Sequence, residues 1–459
     1  MIQENVRIDC CRLVQVVLLA VMTTRVSAEE YRFAADGSDV VARVNALDLK
    51  PGDRVLFKCG DLFRGSIHAK TGVTYGAWGE GAPPPTVCNS RRDYADPALW
   101  KETDAKNVWR CTEKIHNAGI VLFDRDPRNV SEGSPLVARM RYPALKEPLD
   151  KLVLLDADLT FRNIFREDRL ELRSDLGNPG SRFKHIEIGE HGHCVRIDAD
   201  DLIVENLHLT LSGSHGVGGS GDRRNIEVRH CTIDWLGGSI IEGWKFGTVR
   251  FGNGVEIWGG VDGFRVHDNV IHDIYDTGVT VQCNDLEDFI CRIRNVEFRS
   301  NVIERCFWGL EYYNKNNAPG SFTRGLHFIG NVCRDIGRGW GCEGREWRAP
   351  AINLGETPEG SADILVKGNV FDGSTGSLVT LRAPYPKGVF VFRNNTYCQR
   401  KGNVLIRYTP IARSPVTTIS RENMIEFPFG DDAEEVIRRE LGDDGCVTAM
   451  TPFFERATE

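Results

Sequence analysis

One pattern limits what this 459-residue chain can fold into more than any other: apolar-x-apolar-x-x-N-x-apolar, repeated seven times between residues 202 and 396. The copies are LIVENLHL (202–209), IEVRHCTI (226–233), FRVHDNVI (264–271), VEFRSNVI (296–303), LHFIGNVC (326–333), ILVKGNVF (364–371) and VFVFRNNT (389–396). Asn269, Asn301, Asn331, Asn369 and Asn394 fill the N position, and Leu207 and Cys231 replace it in the first two copies. These positions follow one another at 24 to 38 residues, too irregularly for a helical solenoid. Each unit reads as two or three short strands separated by bends. Such a unit cannot bury its apolar face alone, so it has to coil and stack on the next copy. Asparagine tolerates the left-handed backbone of a tight bend, and its amide can bond the asparagine one rung away. The pattern predicts a parallel β-helix with an asparagine ladder along one corner. A glycine count of 47 against 5 methionines and 9 tryptophans also favours turns and strands over helical bundles.

The rest of the chain is organised around this repeat. Residues 1–28 read as a secretion signal, with the apolar run Leu13–Met22 ahead of the small-residue site Val26-Ser27-Ala28. Glu4 and Asp9 offset Arg7 and Arg12, which makes the leading segment atypical. No other apolar run is long enough to span a membrane, so a secreted or periplasmic chain is expected, with no membrane partner after cleavage. Residues 29–87 read as an N-terminal cap and first coils, and 88–184 as a β-rich insertion that lacks the repeat. Residues 185–415 read as the coils, the last near Thr409, and 416–459 as a C-terminal cap. Within that cap, DDAEEVIRRELG (431–442) reads as a short amphipathic helix, with Asp431 or Asp432 as N-cap and Gly442 past its end. Such a helix would cover the open edge of the last coil. A formal net charge of −8, or −9 after cleavage, argues against nucleic acid as a partner. Cys283/Cys291 and Cys333/Cys342 are spaced for local disulfides, and buried apolar thiols are the alternative.

The chemistry collects on a second short strand that follows each repeat after a bend. Aligned on their inward residues, these strands stack Val255, Val279, Leu310, Ile352 and Val379. The next residues point outward: Glu256, Thr280, Glu311, Asn353 and Thr380. Two residues further on the same face come Trp258, Gln282, Tyr313, Gly355 and Arg382. A merely solvated face would be rich in Lys, Glu and Ser without bulky rings. This one reads as a groove. Glu256 and Glu311 lie two rungs apart, hence roughly 9–10 Å between backbones. Asp276, in IYDTGV, enters the same sheet between them. Inverting glycoside hydrolysis uses carboxyls about 6.5–9.5 Å apart and retaining hydrolysis about 5–5.5 Å. Glu256, Asp276 and Glu311 therefore offer a pair, one protonated for the leaving group and one to activate water or attack the sugar. Bland readings stand beside these: Asp276 can cap a turn, both glutamates can be solvated, and Trp258 and Tyr313 can be packing rather than sugar platforms.

Further candidates surround that row. His215, in SGSHGVGG, is placed one coil before Glu256, to bond substrate, tune an acid or satisfy its own turn. His191 and His193 form an H-x-H without an evident third ligand, so no metal is assigned. DADD (198–201) reads as a bend rather than a calcium loop. The insertions EGWKFGTVRFGN (242–253), NDLEDFICRIRN (284–295) and RGWGCEGREWRAP (338–350) are expected to leave from the binding face. The last carries Trp340, Glu343, Arg345, Glu346, Trp347 and Arg348, suited either to gripping a sugar or to a charged loop over buried tryptophans.

The blocks LKPGDRVLFKCGDLFRGSI, VTYGAWGEGAPP, GNPGSRFKHIEIG, SGSHGVGG, FGNGVEIW and IYDTGVTVQ resemble those of the secreted right-handed parallel β-helix, or pectin-lyase-like, carbohydrate-active enzymes. They are most similar to bacterial β-helix proteins near glycoside hydrolase family 141, which act on plant-type polysaccharides. The resemblance covers most of the chain after the signal. It implies an all-β, right-handed parallel β-helix solenoid with a β-rich insertion and a short C-terminal helical cap. It also implies catalytic acids on adjacent coils of this surface, where Asp276 and Glu311 are the nearest matches. The scaffold serves lyases, esterases and adhesins too. The expectation is an exported, monomeric glycoside hydrolase without a cofactor, acting on a complex polysaccharide through Glu256, Asp276 and Glu311. His215, Trp258, Gln282, Tyr313, Trp347, Asn353 and Arg382 are expected to bind the substrate. A lyase acting on a uronic-acid polymer is the alternative, with Lys245, Arg250 or Arg382 as base and Ca2+ as cofactor, and a non-catalytic glycan-binding solenoid is the other.

Overall fold

A computed structural model describes residues 28–129, 135–142, 153–243, 249–284, 289–383, 388–410 and 423–451. The secretion signal up to Ser27, and Lys245, lie outside the described residues. Three ten-stranded sheets run the length of the chain, and each coil adds one strand to each sheet. The cycle is plain from Arg223–Arg229 (first sheet) through Thr232–Leu236 (second) to Val255–Trp258 (third), and it repeats with Val261–His267, Val270–Ile274 and Thr277–Cys283. Neighbouring coils pair parallel and in register, so like positions stack: Val228, Val266, Phe298, Phe328, Val366 and Phe392 form one interior column. Every member is buried, and each such side chain removed from water contributes about 1.5–3 kcal/mol. The chain is a parallel β-helix.

The corner between the first and second sheets holds the ladder. Asn269 Nδ2 donates to Asn301 Oδ1 (2.9 Å), Asn301 to Asn331 (3.0 Å), Asn331 to Asn369 (3.1 Å) and Asn369 to Asn395 (2.9 Å). Asn395 in turn donates to Asp443 Oδ2 (2.9 Å), which ends the ladder on the C-terminal cap. Two expectations are corrected here. The last rung is Asn395, not Asn394, because Phe390 pairs with Ile364 and shifts the final copy by one residue. The left-handed backbone belongs to the residue before each ladder asparagine, namely Asp268, Ser300, Gly330, Gly368 and Asn394 at φ 55° to 65°. That residue makes the bend, which frees the asparagine to turn its amide inward.

The insertion leaves after Thr86–Cys88, the second strand of the second sheet, and builds two antiparallel sheets around its own core of Tyr94, Trp100, Phe123 and Phe161. Ile186–Glu190 still belongs to it, pairing antiparallel with Ala118–Phe123, so coils resume at Val195 rather than His185. The segments 242–253 and 338–350 leave at the corner before the third sheet, whereas 284–295 leaves after Thr277–Cys283 and is first-sheet strand from Arg292. The insertions therefore flank both edges of the third sheet instead of leaving from one side, since any corner of a coil can lengthen without disturbing the stacked strands. At the C-terminus, helix Ala433–Leu441 buries Ala433, Val436, Ile437 and Leu441 against the coil core, and Gly442 ends it at φ 69°. Val447–Met450 then adds the tenth strand of the second sheet. The twelve cysteines of the described residues are free thiols. Among the described residues, no helix is long and apolar enough to cross a membrane.

Candidate active site

The third sheet stacks its outward residues in the order Gly218, Glu256, Thr280, Glu311, Asn353, Thr380, Arg407. Trp258, Gln282 and Tyr313 form the parallel row two residues on. Above them lies a cleft of about 880 Å³, lined by Glu256, Asp276 and Glu311 and, around them, by His215, Trp258, Gln282, Tyr313 and Arg382. One wall is an antiparallel hairpin whose strands are Ser239–Ile240 and Arg250–Phe251. The insertion holds that wall in place, because Asn117 Nδ2 donates to Ile240 O (2.8 Å) and Ile240 N to Asn117 Oδ1 (2.9 Å). The corner needs glycine where hairpin meets coil: a Cβ at Gly252, which sits at φ 141°, would fall 2.1 Å from Gly237 Cα.

Glu256 is a buried acid, only 3% exposed, rather than a solvated one. Asn253 Nδ2 donates to its Oε2 (2.6 Å), and Gln282 Nε2 to its Oε1 (3.0 Å). His215 Nε2 lies 3.0 Å from the same Oε2. Burial pushes the carboxyl up to about 7, against the two amide donors that favour its ionised form. His215 itself is pushed down to about 3 by burial and so stays neutral. Its ring has room because Gly218 sits beneath it, where a Cβ would approach to 2.7 Å.

Glu311 is 6% exposed. Among the described residues its one polar side-chain contact is Asn353 Nδ2, 3.5 Å from Oε1. Burial, and next the negative charge of Asp276, hold this carboxyl well above the usual range, only partly offset by Arg382 and Lys315. Asp276 occupies the bend ahead of Thr277–Cys283 and is 21% exposed at its side chain. Its backbone carbonyl accepts Phe307 N (2.8 Å) and Trp308 N (3.1 Å), so the bend is fixed by the next coil. Arg345 Nη1 lies 3.7 Å from Asp276 Oδ1. Burial raises the Asp276 carboxyl, while Arg345 and Arg348 work against that rise.

Trp258 and Tyr313 meet edge to face at 6.2 Å between ring centres, with Lys315 Nζ 4.6 Å and the Arg382 guanidinium 6.0 Å from the Tyr313 ring. Arg382 also sits 3.5 Å from Glu356. Trp347 is not among the residues lining the cleft: the Arg348 and Arg407 guanidinium groups cover its ring at 5.8 and 5.9 Å. Trp340 is packing too, tilted against Tyr275 with ring centres 5.2 Å apart and its Nε1 donating to Asp273 O. Arg250 is committed to the Gly238 and Gly119 carbonyls, and Asp200 of DADD to Arg224. Among the described residues no group of three or more His, Cys, Asp or Glu side chains is arranged to hold a metal ion, and His193 instead stacks on His215 at 4.7 Å.

Sequence reasoning missed Asn253 and undervalued Arg345. The only signal for Asn253 was its place three residues before Glu256, and for Arg345 its membership of a charged insertion. The arginine is wedged 3.8 Å from the Phe307 ring centre and 4.4 Å from that of Tyr275, so its charge is fixed beside Asp276. A second cavity of about 990 Å³ lies between residues 136–142 and 337–346, but it contains none of the three carboxyls and its Arg139 is paired with Glu343.

No protein-family model matches the chain, and no curated protein matches it. Among solved structures it is similar to one described as a glycoside hydrolase, at 8% identity and TM-score 0.46 over 84% of this chain and 95% of that one. It is similar to an alginate lyase from Paenibacillus sp. str. FPU-7, at 10% identity and TM-score 0.42 over 84% and 92%. A third likeness is to an exopolygalacturonase from Thermotoga maritima, at 11% identity and TM-score 0.36 over 82% and 86%.

Proposed function

We propose that this protein is an exported glycoside hydrolase that cleaves a complex polysaccharide with inversion, Glu311 serving as general acid and Glu256 as general base. The observation that carries this reading is the column Glu256–Thr280–Glu311, two buried carboxyls two rungs apart on the floor of one cleft. Two rungs separate the backbones by roughly 9–10 Å, and modest leaning of the side chains brings the carboxyls into the range of about 6.5–9.5 Å that leaves room for a water. Burial raises both carboxyls, and their neighbours then set them apart. Burial first, and then the charge of Asp276, whose ionised form Arg345 favours, hold Glu311 protonated. Two amide donors favour an ionised Glu256.

In this mechanism a sugar lies against Trp258 and Tyr313, whose ring faces suit its C–H groups. Glu311 gives its proton to the glycosidic oxygen as the C–O bond breaks. Glu256 takes a proton from the water that attacks the anomeric carbon on the opposite face. Positioned proton transfer of this kind contributes typically 10²–10⁴-fold. All three carboxyls come from one chain, so a monomer suffices, and no cofactor enters the steps.

A panel of plant-type and microbial glycans tests the reading. New reducing ends without ultraviolet-absorbing unsaturated products, and an inverted anomer in the first proton spectrum, are expected. Unsaturated ends would replace hydrolysis with elimination. Retained configuration would move the second carboxyl from Glu256 to Asp276. Binding without turnover on every glycan would leave a non-catalytic sugar-binding solenoid.

A further inference from the structure

Asn253 lies just before the Glu256 strand, 4% exposed, at the corner where hairpin and coil meet. All four of its polar groups are used, and they reach three different coils. Its backbone N–H donates to His215 Nδ1 (2.9 Å) and its carbonyl accepts Gly216 N (3.0 Å), both on the preceding coil. Its side-chain Nδ2 donates to Glu256 Oε2 (2.6 Å). Its Oδ1 accepts the Thr277 N–H (2.8 Å), the residue that follows Asp276.

These four contacts have consequences for both carboxyls. A backbone N–H can only donate, so His215 Nδ1 must be unprotonated and the neutral ring carries its proton on Nε2, 3.0 Å from Glu256 Oε2. Glu256 Oε2 is thus enclosed by groups that Asn253 supplies or fixes. Oε1 takes Gln282 from the side and keeps a lone pair for the cleft. The Thr277 bond meanwhile ties down the far end of the bend that carries Asp276. Other titratable groups face the site: His191 and His193 act on His215, while Asp276, Glu311 and Tyr313 feel Glu256. Among the described residues, Asn253 alone hydrogen-bonds both the Glu256 side chain and the bend that carries Asp276.

We infer that Asn253 is the positioning residue of this site, orienting Glu256 through its side-chain N–H and registering Asp276 through the backbone of Thr277. The inference rests on Glu256 and Asp276 belonging to the working site, as proposed above. It makes a separable prediction, because the two halves of the amide do different work. Asn253→Asp keeps an oxygen for Thr277 but removes the donor to Glu256 and puts a like charge beside it. Asn253→Ala removes both.

Hydrogen exchange of the peptide that spans residues 270–283 reads the first half. Protection at Thr277 should persist in Asn253→Asp and be lost in Asn253→Ala. The pH dependence reads the second half. The acid limb of kcat/KM should move up by about one to two pH units in Asn253→Asp, the equivalent of one lost charge-assisted hydrogen bond. If no glycan is turned over, the same upward shift must appear in the midpoint at which Glu256 titrates, followed through pH-dependent unfolding. A wrong hydrolase reading therefore leaves this arm intact. An unmoved midpoint in Asn253→Asp, or unchanged protection in Asn253→Ala, overturns the inference. Should Asn253→Ala not fold, Asn253→Asp alone decides it, since a residue with a purely structural role would lower stability without moving the midpoint.

Discussion

Replacing Glu256 by glutamine should make the protein more stable at alkaline pH, and the size of the gain follows from the site. Burial raises the Glu256 carboxyl from 4.5 in the unfolded chain to about 7 in the fold. The folded state therefore binds more protons than the unfolded state across that window. Its contribution to stability is fully present below about 4.5 and is lost as pH rises through about 7. A shift of that size corresponds to about 3 kcal/mol, at 1.36 kcal/mol per pH unit. Glutamine does not titrate, and it keeps the contacts: its oxygen accepts from Asn253 Nδ2, and Gln282 needs only to turn its amide and present Oε1. Removing the Glu256 charge also relieves Asp276 and Glu311, both of which it raises, so the coupling adds in the same direction. Urea unfolding of the two proteins, followed by tryptophan fluorescence between about pH 4.5 and pH 8, should give curves that diverge by about 3 kcal/mol in favour of Glu256→Gln at the alkaline end. Activity should fall in the same variant. Parallel curves would refute the reasoning, because they would mean the carboxyl is as well solvated in the fold as out of it.

Other consequences can be checked separately. The pH profile of kcat/KM should rise through about 7 as Glu256 ionises and fall at higher pH as Glu311 loses its proton, giving a bell with an optimum on the alkaline side. Glu311→Gln should lower kcat by about 10²–10⁴-fold on a natural linkage and far less on an aryl glycoside whose leaving group needs no proton, measured by initial rates. Arg345→Ala should raise the Asp276 carboxyl further and depress activity at neutral pH, with activity unchanged if the fixed guanidinium plays no part. Asn331→Ala should cost about 3–5 kcal/mol in urea unfolding, because it strands the Asn301 N–H and the Phe298 carbonyl that its amide serves.

The solenoid was legible because its signal is periodic. A pattern of apolar residues repeated over seven coils, with asparagine at one place in five of them, reports a stacking position whatever lies between, and the third-sheet registers from Val255 to Val379 follow from aligning apolar residues alone. The same logic failed by one residue at Asn394, where two adjacent asparagines satisfy the pattern and only the pairing of Phe390 with Ile364 separates them. Side chains that reach across corners carry no such period. Asn253, Arg345 and the packing of the half-buried Trp340 and Trp347 depend on how insertions fold back on the coil, and composition alone could not tell a sugar platform from a packed ring. His215 lay between these cases. Its position was readable, but its tie to Glu256 needed the close approach that Gly218 permits.

The lattice also bears on why the proposed site would draw on a residue from a corner. The backbones of stacked strands are spaced in whole rungs, so two glutamates on one column start from about 5 or about 10 Å, and only the leaning of their side chains adjusts that. The nearer spacing would place two buried like charges side by side, and the wider one leaves burial with little help from a like charge in keeping Glu311 protonated. Asp276 resolves this because the bend is off the lattice. It approaches from the side, between the rungs of Glu256 and Glu311, and the coil insertion at 338–350 brings Arg345 to hold its charge. Moving that carboxyl onto the column, in Asp276→Gly combined with Thr280→Asp, should keep the number of acids but lose the alternation of charge. The Glu311 carboxyl would then face a strand neighbour with no arginine behind it, and activity should not return, whereas recovery to within tenfold of the parent would show that proximity of three acids is enough and that the corner is incidental.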